Sequence, residues 1–201
     1  GDVAITDTNA IVLGASTVSG TYAVTAGGAV TQNDNLIITG VTTLEAGSLN
    51  DITLNRSGNN FQAAVIITSG GDVALRDGGA IELGASTVSG TYHVTASGAG
   101  GAVTNTGNLL ITGVTTLVAG SNAITLSQSG NNFSTVIITS GGDVAITDTN
   151  AIVLGASTVS GTYAVTAGDA ITQNDNLIIT GVTTLVAGSN AITLDRAGNN
   201  F

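Results

Sequence analysis

Two columns of aspartate are the residues of this chain best placed to do chemistry. Asp2, Asp72 and Asp143 form one, Asp7, Asp77 and Asp148 the other, and each column recurs once in every long repeat of the chain. Each pair brackets a four-residue apolar segment, Val3-Ala4-Ile5-Thr6 in the first copy. Two carboxylates on one face can act as acid and nucleophile in glycoside cleavage, and hard oxygen ligands suit calcium. Sugar cleavage also needs one unique pair and aromatic stacking surfaces, whereas these acids occur in triplicate in a chain with three Tyr and three Phe. For calcium the Gly-Gly-x-Gly-x-Asp nonapeptide is missing, so the six aspartates stand as the sharper alternative ligand set, not the assigned one. An Asp at a strand end that accepts neighbouring backbone N–H groups explains the recurrence more simply. The expectation is therefore no catalytic residue, no cofactor and no resident metal, in a protein that is not an enzyme.

The remaining candidates give the same answer. His93 is the single histidine and occupies the column of Ala23 and Ala164, so it belongs to no repeated site. Gly98 to Gly101 lacks the following Lys and helix of a phosphate loop and reads as a corner insertion. The pairs Thr42-Thr43, Thr115-Thr116 and Thr183-Thr184 could order ice on a flat face, but they recur too sparsely for one, and ice binding stays a minor alternative. A carbohydrate-binding or glycan-cleaving module is the main alternative to a structural role.

The elements that position these residues are repeats. Gly1-Asp2-Val3-Ala4-Ile5 returns at Gly71 and at Gly142, and Leu13 to Tyr22 returns at Leu83 to Tyr92 and Leu154 to Tyr163. This divides one continuous body into residues 1–70, 71–141 and 142–201, the last truncated. Within each repeat, small-residue corners such as Ala26-Gly27, Ala46-Gly47 and Ser69-Gly70 separate short β-branched runs. A unit too short to bury its own apolar face, repeated in tandem, forms a solenoid. Corners at about 23-residue steps suit a three-sided rung at ~3.3 Å per strand residue. The reading is all-β: a parallel β-helix of about nine rungs, three per repeat, forming a rod roughly 40 to 45 Å long at ~4.8 Å per rung.

A turn column runs through Asn9, Asn35, Asn60, Gly79, Asn108, Asn132, Asn150, Asn176 and Asn200, each before an apolar strand. Asn tolerates positive φ and its amides can stack along an axis, so these positions are expected to form a structural ladder. Ile52, Val73, Val103, Ile124, Val144, Ile171 and Ile192 are expected to stack in the core.

Composition bounds the rest. Pro, Cys, Met, Trp and Lys are absent, hydrophobic residues are 42% and the net charge is −10. Disorder is excluded by the apolar content, and three arginines cannot hold a nucleic-acid backbone. No apolar run approaches the roughly 18 to 20 residues of a membrane helix, so no membrane insertion is expected. The first and last residues fall inside the repeat, as in a piece cut from a longer protein whose neighbouring repeats or identical subunits meet it end to end.

The segments Thr21 to Thr31, Leu36 to Leu44 and Asn50 to Phe61 resemble the repeats of filamentous-haemagglutinin-like exoproteins, large bacterial surface proteins of the two-partner secretion and related adhesin class. The resemblance implies a right-handed parallel β-helix, export to the cell surface or medium, and a role as stalk or filament body in adhesion. A host-cell or surface glycan or protein receptor would then be met by parts outside this segment.

Overall fold

Short runs of Val, Ile, Leu and Thr bounded by Gly, Asn and Asp can form strands but no helix, and the computed structural model, which describes residues 1–201, contains 24 strands and no helix. All named pairings are parallel. Two faces run the length of the molecule. The first holds ten strands from Val3–Asp7 to Thr183–Val186, and the second runs from Ile11–Leu13 to Ile171–Gln173. A third, shorter face is built in blocks of three: Ser16–Val18, Leu36–Ile38 and Asn60–Phe61 make the first. The molecule is a β-solenoid of about nine coils.

Coil length follows from register. On the first face Val3 pairs with Tyr22, Tyr22 with Thr42, Thr42 with Val65 and Val65 with Leu83, so the step differs from coil to coil and is longest from Thr42 to Val65. Seven such steps carry the face from Val3–Asp7 to Val144–Asp148. The average coil is thus ~20 residues, at the short end of the range for solenoid repeats. This is shorter than the corner spacing suggested, for a specific reason. Each repeat makes its three full coils and then adds one more strand, Val65–Ser69 in the first repeat, before the motif restarts. The extra strand is half a coil. Val73, the equivalent of Val3, consequently lies on the second face against Ile52, and Val144 returns to the first face against Ile124.

Alternation fills the interior. Along Val73–Asp77 residues 73, 75 and 77 are buried and their neighbours partly exposed, the period-two pattern of a strand with one face inward. Forty-five buried hydrophobic residues form one unbroken core. Ile52, Val73, Val103, Ile124, Val144 and Ile171 are all at most 1% exposed, as the stacking argument requires. Ile192 bridges Ile171 from one side only and is 44% exposed.

Ile124 lies between Val103 and Val144 with its side chain fully enclosed. Ile124→Asp is expected to cost on the order of 3–5 kcal/mol by burying an unpaired charge. Thr125→Asp, one residue along and outward, should stay within about 0.5 kcal/mol. Urea melts of both variants check the register, and equal midpoints would overturn it.

Candidate functional site

The six aspartates perform two distinct structural tasks. Asp2, Asp72 and Asp143 lie at exposed corners, and their Oδ1 atoms accept the backbone N–H of Thr21, Thr91 and Thr162 at 2.8, 2.7 and 2.8 Å, pinning the start of the next coil. Asp72 and Asp143 also accept the same threonine's hydroxyl at 2.9 Å. Only glycine fits at Gly20, Gly90 and Gly161, because a Cβ there would overlap the carboxylate. The threonine N–H, and then its hydroxyl, hold these three carboxyls below their ordinary pKa.

Asp77 and Asp148 point inward and are 0% and 2% exposed. Their Oδ1 atoms accept Gly79 N–H at 2.6 Å and Asn150 N–H at 2.9 Å. Their Oδ2 atoms accept the N–H of Phe61 and Phe133, both at 2.6 Å. Phe61 and Phe133 end the third-face blocks of the first and second repeats, so each inward aspartate closes the block made by the repeat before it. Asp7, the same residue in the first repeat, engages Asn9 N–H alone. Burial outweighs these N–H donors and pushes the Asp77 and Asp148 carboxyls up. Nowhere do three His, Asp or Glu side chains gather as a metal cluster.

The asparagine column is placed at corners, but its side chains point outward and do not form the expected continuous ladder. Asn9, Asn35, Asn60, Asn108, Asn132, Asn150, Asn176 and Asn200 are all exposed, and the bond between two of them is Asn150 Nδ2 to Asn132 Oδ1 at 3.2 Å. No non-glycine residue has positive φ, so left-handed tolerance is not what selects them. The working amides are one residue earlier. Asn59 accepts Leu36 N–H and Gln32 Nε2 on Oδ1 and donates to Gln32 Oε1 and Leu54 O. Asn131 and Asn199 repeat the pattern with Asn105 and Gln173. In a strand-period structure, one residue separates a buried network from a surface, and the Asn-Asn doublets 59–60, 131–132 and 199–200 hid which member turned inward.

The threonine pairs do not make an ice-facing row either, because the first member points inward: Thr42 and Thr115 are fully buried. They stack on Tyr22 and Tyr92, as Thr183 stacks on Tyr163. The hydroxyls of Tyr92, Thr115 and Tyr163 are buried without a hydrogen-bond partner. Burial pushes both phenols far up, against the lowering influence of the nearby Ser86 and Ser157 hydroxyls.

On the surface, His93 is exposed, with Nε2 3.1 Å from Thr95 Oγ1. Two open grooves lie on the second repeat. One, of about 330 Å³, runs along its third face past Thr87, Leu110 and Asn132. The other, of about 390 Å³, lies between Arg76 and the Gly98 corner.

A family model described as repeats of unknown function (DUF5649) matches residues 1–68, 70–140 and 141–201. No curated protein and no solved structure matches the chain.

The two aspartate classes oppose each other in pH. A raised carboxyl such as Asp77 contributes stability that is fully present below the ordinary value of 3.8 and is lost as pH rises through its raised pKa. A lowered one such as Asp72 contributes stability present above 3.8 and lost as pH falls through its lowered pKa. In urea melts from about pH 7 to about pH 4, the parent should gain on an Asp77→Asn, Asp148→Asn double variant as pH falls. Below that range the parent should lose ground to Asp72→Asn. Asp77→Ala at neutral pH leaves the Phe61 N–H unpaired and should cost about 1–3 kcal/mol.

Proposed function

We propose, from the premise that the chain belongs in all three of its long repeats to the family of repeats of unknown function (DUF5649), that it is a non-catalytic structural repeat of a bacterial extracellular or cell-surface filament or adhesin stalk. One observation carries this reading: both long faces and the core pass from repeat to repeat without a break, and each new repeat supplies the carboxylate that closes the one before. Such a device gains from tandem neighbours and serves no reaction. With nearest-neighbour coupling of this kind, a solenoid's stability builds up repeat by repeat as it lengthens. The paired acids, which were the chain's best claim to glycan cleavage, are occupied with backbone N–H groups.

Asp7 carries the carboxylate that Asp77 and Asp148 use to cap a preceding repeat, and the outermost strands of residues 1–201 pair on one side. The partners expected along the axis are therefore neighbouring repeats or identical subunits end to end, with Asp7 turned toward the repeat or copy before it. The −10 charge opposes side-by-side packing at low salt.

Sedimentation velocity across a concentration series should show linear association that Asp7→Lys weakens, and hydrogen exchange should protect the end coils as association proceeds. A monomer at every concentration, with end amides as protected as central ones, would overturn longitudinal assembly. Release of reducing sugar from surface polysaccharides would overturn the non-catalytic reading.

A further inference from the structure

Three of the second repeat's departures from its neighbours meet on one patch. Arg76 stands where the others have Thr6 and Thr147, His93 where they have Ala23 and Ala164, and the corner from Ala96 to Ala102 is three residues longer than Ala26 to Ala29. In the sequence these changes are scattered from Arg76 to Ala102. Register brings them together. Arg76 pairs with Thr95, Thr95 with Val118 and Val118 with Ser140, on successive coils of the second face. His93, two residues from Thr95 and also outward, contacts the Thr95 hydroxyl.

The lengthened corner builds a wall beside Arg76. Gly98 and Gly120 take positive φ of 98° and 60°, conformations that glycine adopts without strain. Asn122 Nδ2 donates to Gly98 O at 3.3 Å, Ser97 Oγ to Asp77 O at 3.0 Å, and Ser140 Oγ accepts Gly120 N–H at 3.0 Å. Between these groups and Arg76 lies the groove of about 390 Å³. The Arg76 Nε atom is buried and has no hydrogen-bond partner. An enclosed donor on a charged group left unpaired is costly, and natural structures rarely leave one without a reason.

We propose that this groove binds the carboxylate of an acidic sugar. A carboxylate offers two coplanar oxygens to the donors of one guanidinium, the fork that an isolated ammonium cannot match. The hydroxyls of Thr95, Ser97, Ser121 and Ser140 and the amide of Asn122 line the rest of the groove, and hydroxyls and amides are the natural partners of sugar hydroxyls. The volume falls in the range of small-molecule sites. The first and third repeats lack the guanidinium, and the third carries Asp169 at the corresponding corner, an acid that would repel such a ligand. The site is thus a property of the second repeat alone, and it stands independently of whether the rod assembles into a filament.

The three arginines give three Nε resonances, which makes the test direct. Sodium galacturonate in the millimolar range, titrated into 15N-labelled protein, should move the Arg76 Nε signal and the amides near Ser97 and Asn122 while leaving Arg56 and Arg196 in place. Galactose, which lacks the charge, should move none of them, and acetate should move Arg76 but at least tenfold more weakly. Arg76→Gln and a deletion of Gly98 to Gly100 should each reduce binding at least tenfold with circular dichroism unchanged. No movement of Arg76, equal movement of all three arginines, or an equal response to galactose would overturn the site. An acetate response as strong as that to galacturonate would overturn the sugar as ligand.

Discussion

The long repeat spans three and a half coils, and most of the architecture follows from the half coil left over. Because two repeats make seven coils, each repeat enters on the opposite long face from its predecessor: Val3 on the first, Val73 on the second, Val144 on the first again. The third face therefore cannot continue. In the first repeat it fills the return path from second face to first; in the second, with Ser86–Val88 and the strands stacked on it, it fills the path from first to second. A block that ends after three strands leaves backbone N–H groups with no strand above them, inside a molecule where unpaired buried donors cost about 1–3 kcal/mol each. The Asp77 and Asp148 carboxylates meet that need, and Gly78 N–H reaches Asn59 O at the same junction.

The corners are governed by close approach. At Gly20 and Gly40 successive coils touch backbone to backbone, Gly40 N–H donating to Gly20 O at 3.0 Å, and a Cβ on Gly40 would strike the Gly20 carbonyl. The same contact recurs at Gly90 with Gly113 and at Gly161 with Gly181. Beside each pair sits the exposed aspartate that receives the threonine N–H. Tight corner, glycine and carboxylate form one unit, and this accounts for why the Asp column and the Ser-Gly-Thr-Tyr motif keep the same period.

The repeats, the β class and the core residues were legible because they depend on composition and on period-two alternation, which the chain displays openly at Val73–Asp77 or Tyr22–Ala26. The half coil was not. Ser69-Gly70 looks like Ala26-Gly27 and Ala46-Gly47 as a string of small residues, yet it leads from the first face into a new repeat on the second, while the other two turn within a repeat. Nothing local distinguishes the roles; only the closure of the coil does. The buried amides failed for a related reason, since Asn59 and Asn60 are chemically identical and differ by a single step of the pleat. The Arg76 groove is the inverse case: its parts, Arg76, His93 and the long corner, are each plain departures in the sequence, but only register shows that they meet.

A solenoid separates what it must conserve in space from what it may vary. Inward positions carry the stack, so an inward change is felt by the coils above and below. An outward change such as Thr6 to Arg76 between equivalent positions leaves Val73, Leu75 and Asp77 undisturbed beneath it. Corner length is equally free wherever the chain can bulge outward and rejoin its column, and Val103 does rejoin, pairing with Ile81 and Ile124 after the insertion. New chemistry can thus be written on one repeat at little cost to the rod. The third repeat keeps Thr147, Ala164 and the short corner on a framework that superposes by sequence on the first, whereas the second changes all three on one patch. The second repeat also changes elsewhere, with Glu82 on the first face and Gln128 at another corner; what sets this patch apart is that three of its changes meet beside a groove lined by an arginine whose Nε is buried without a partner.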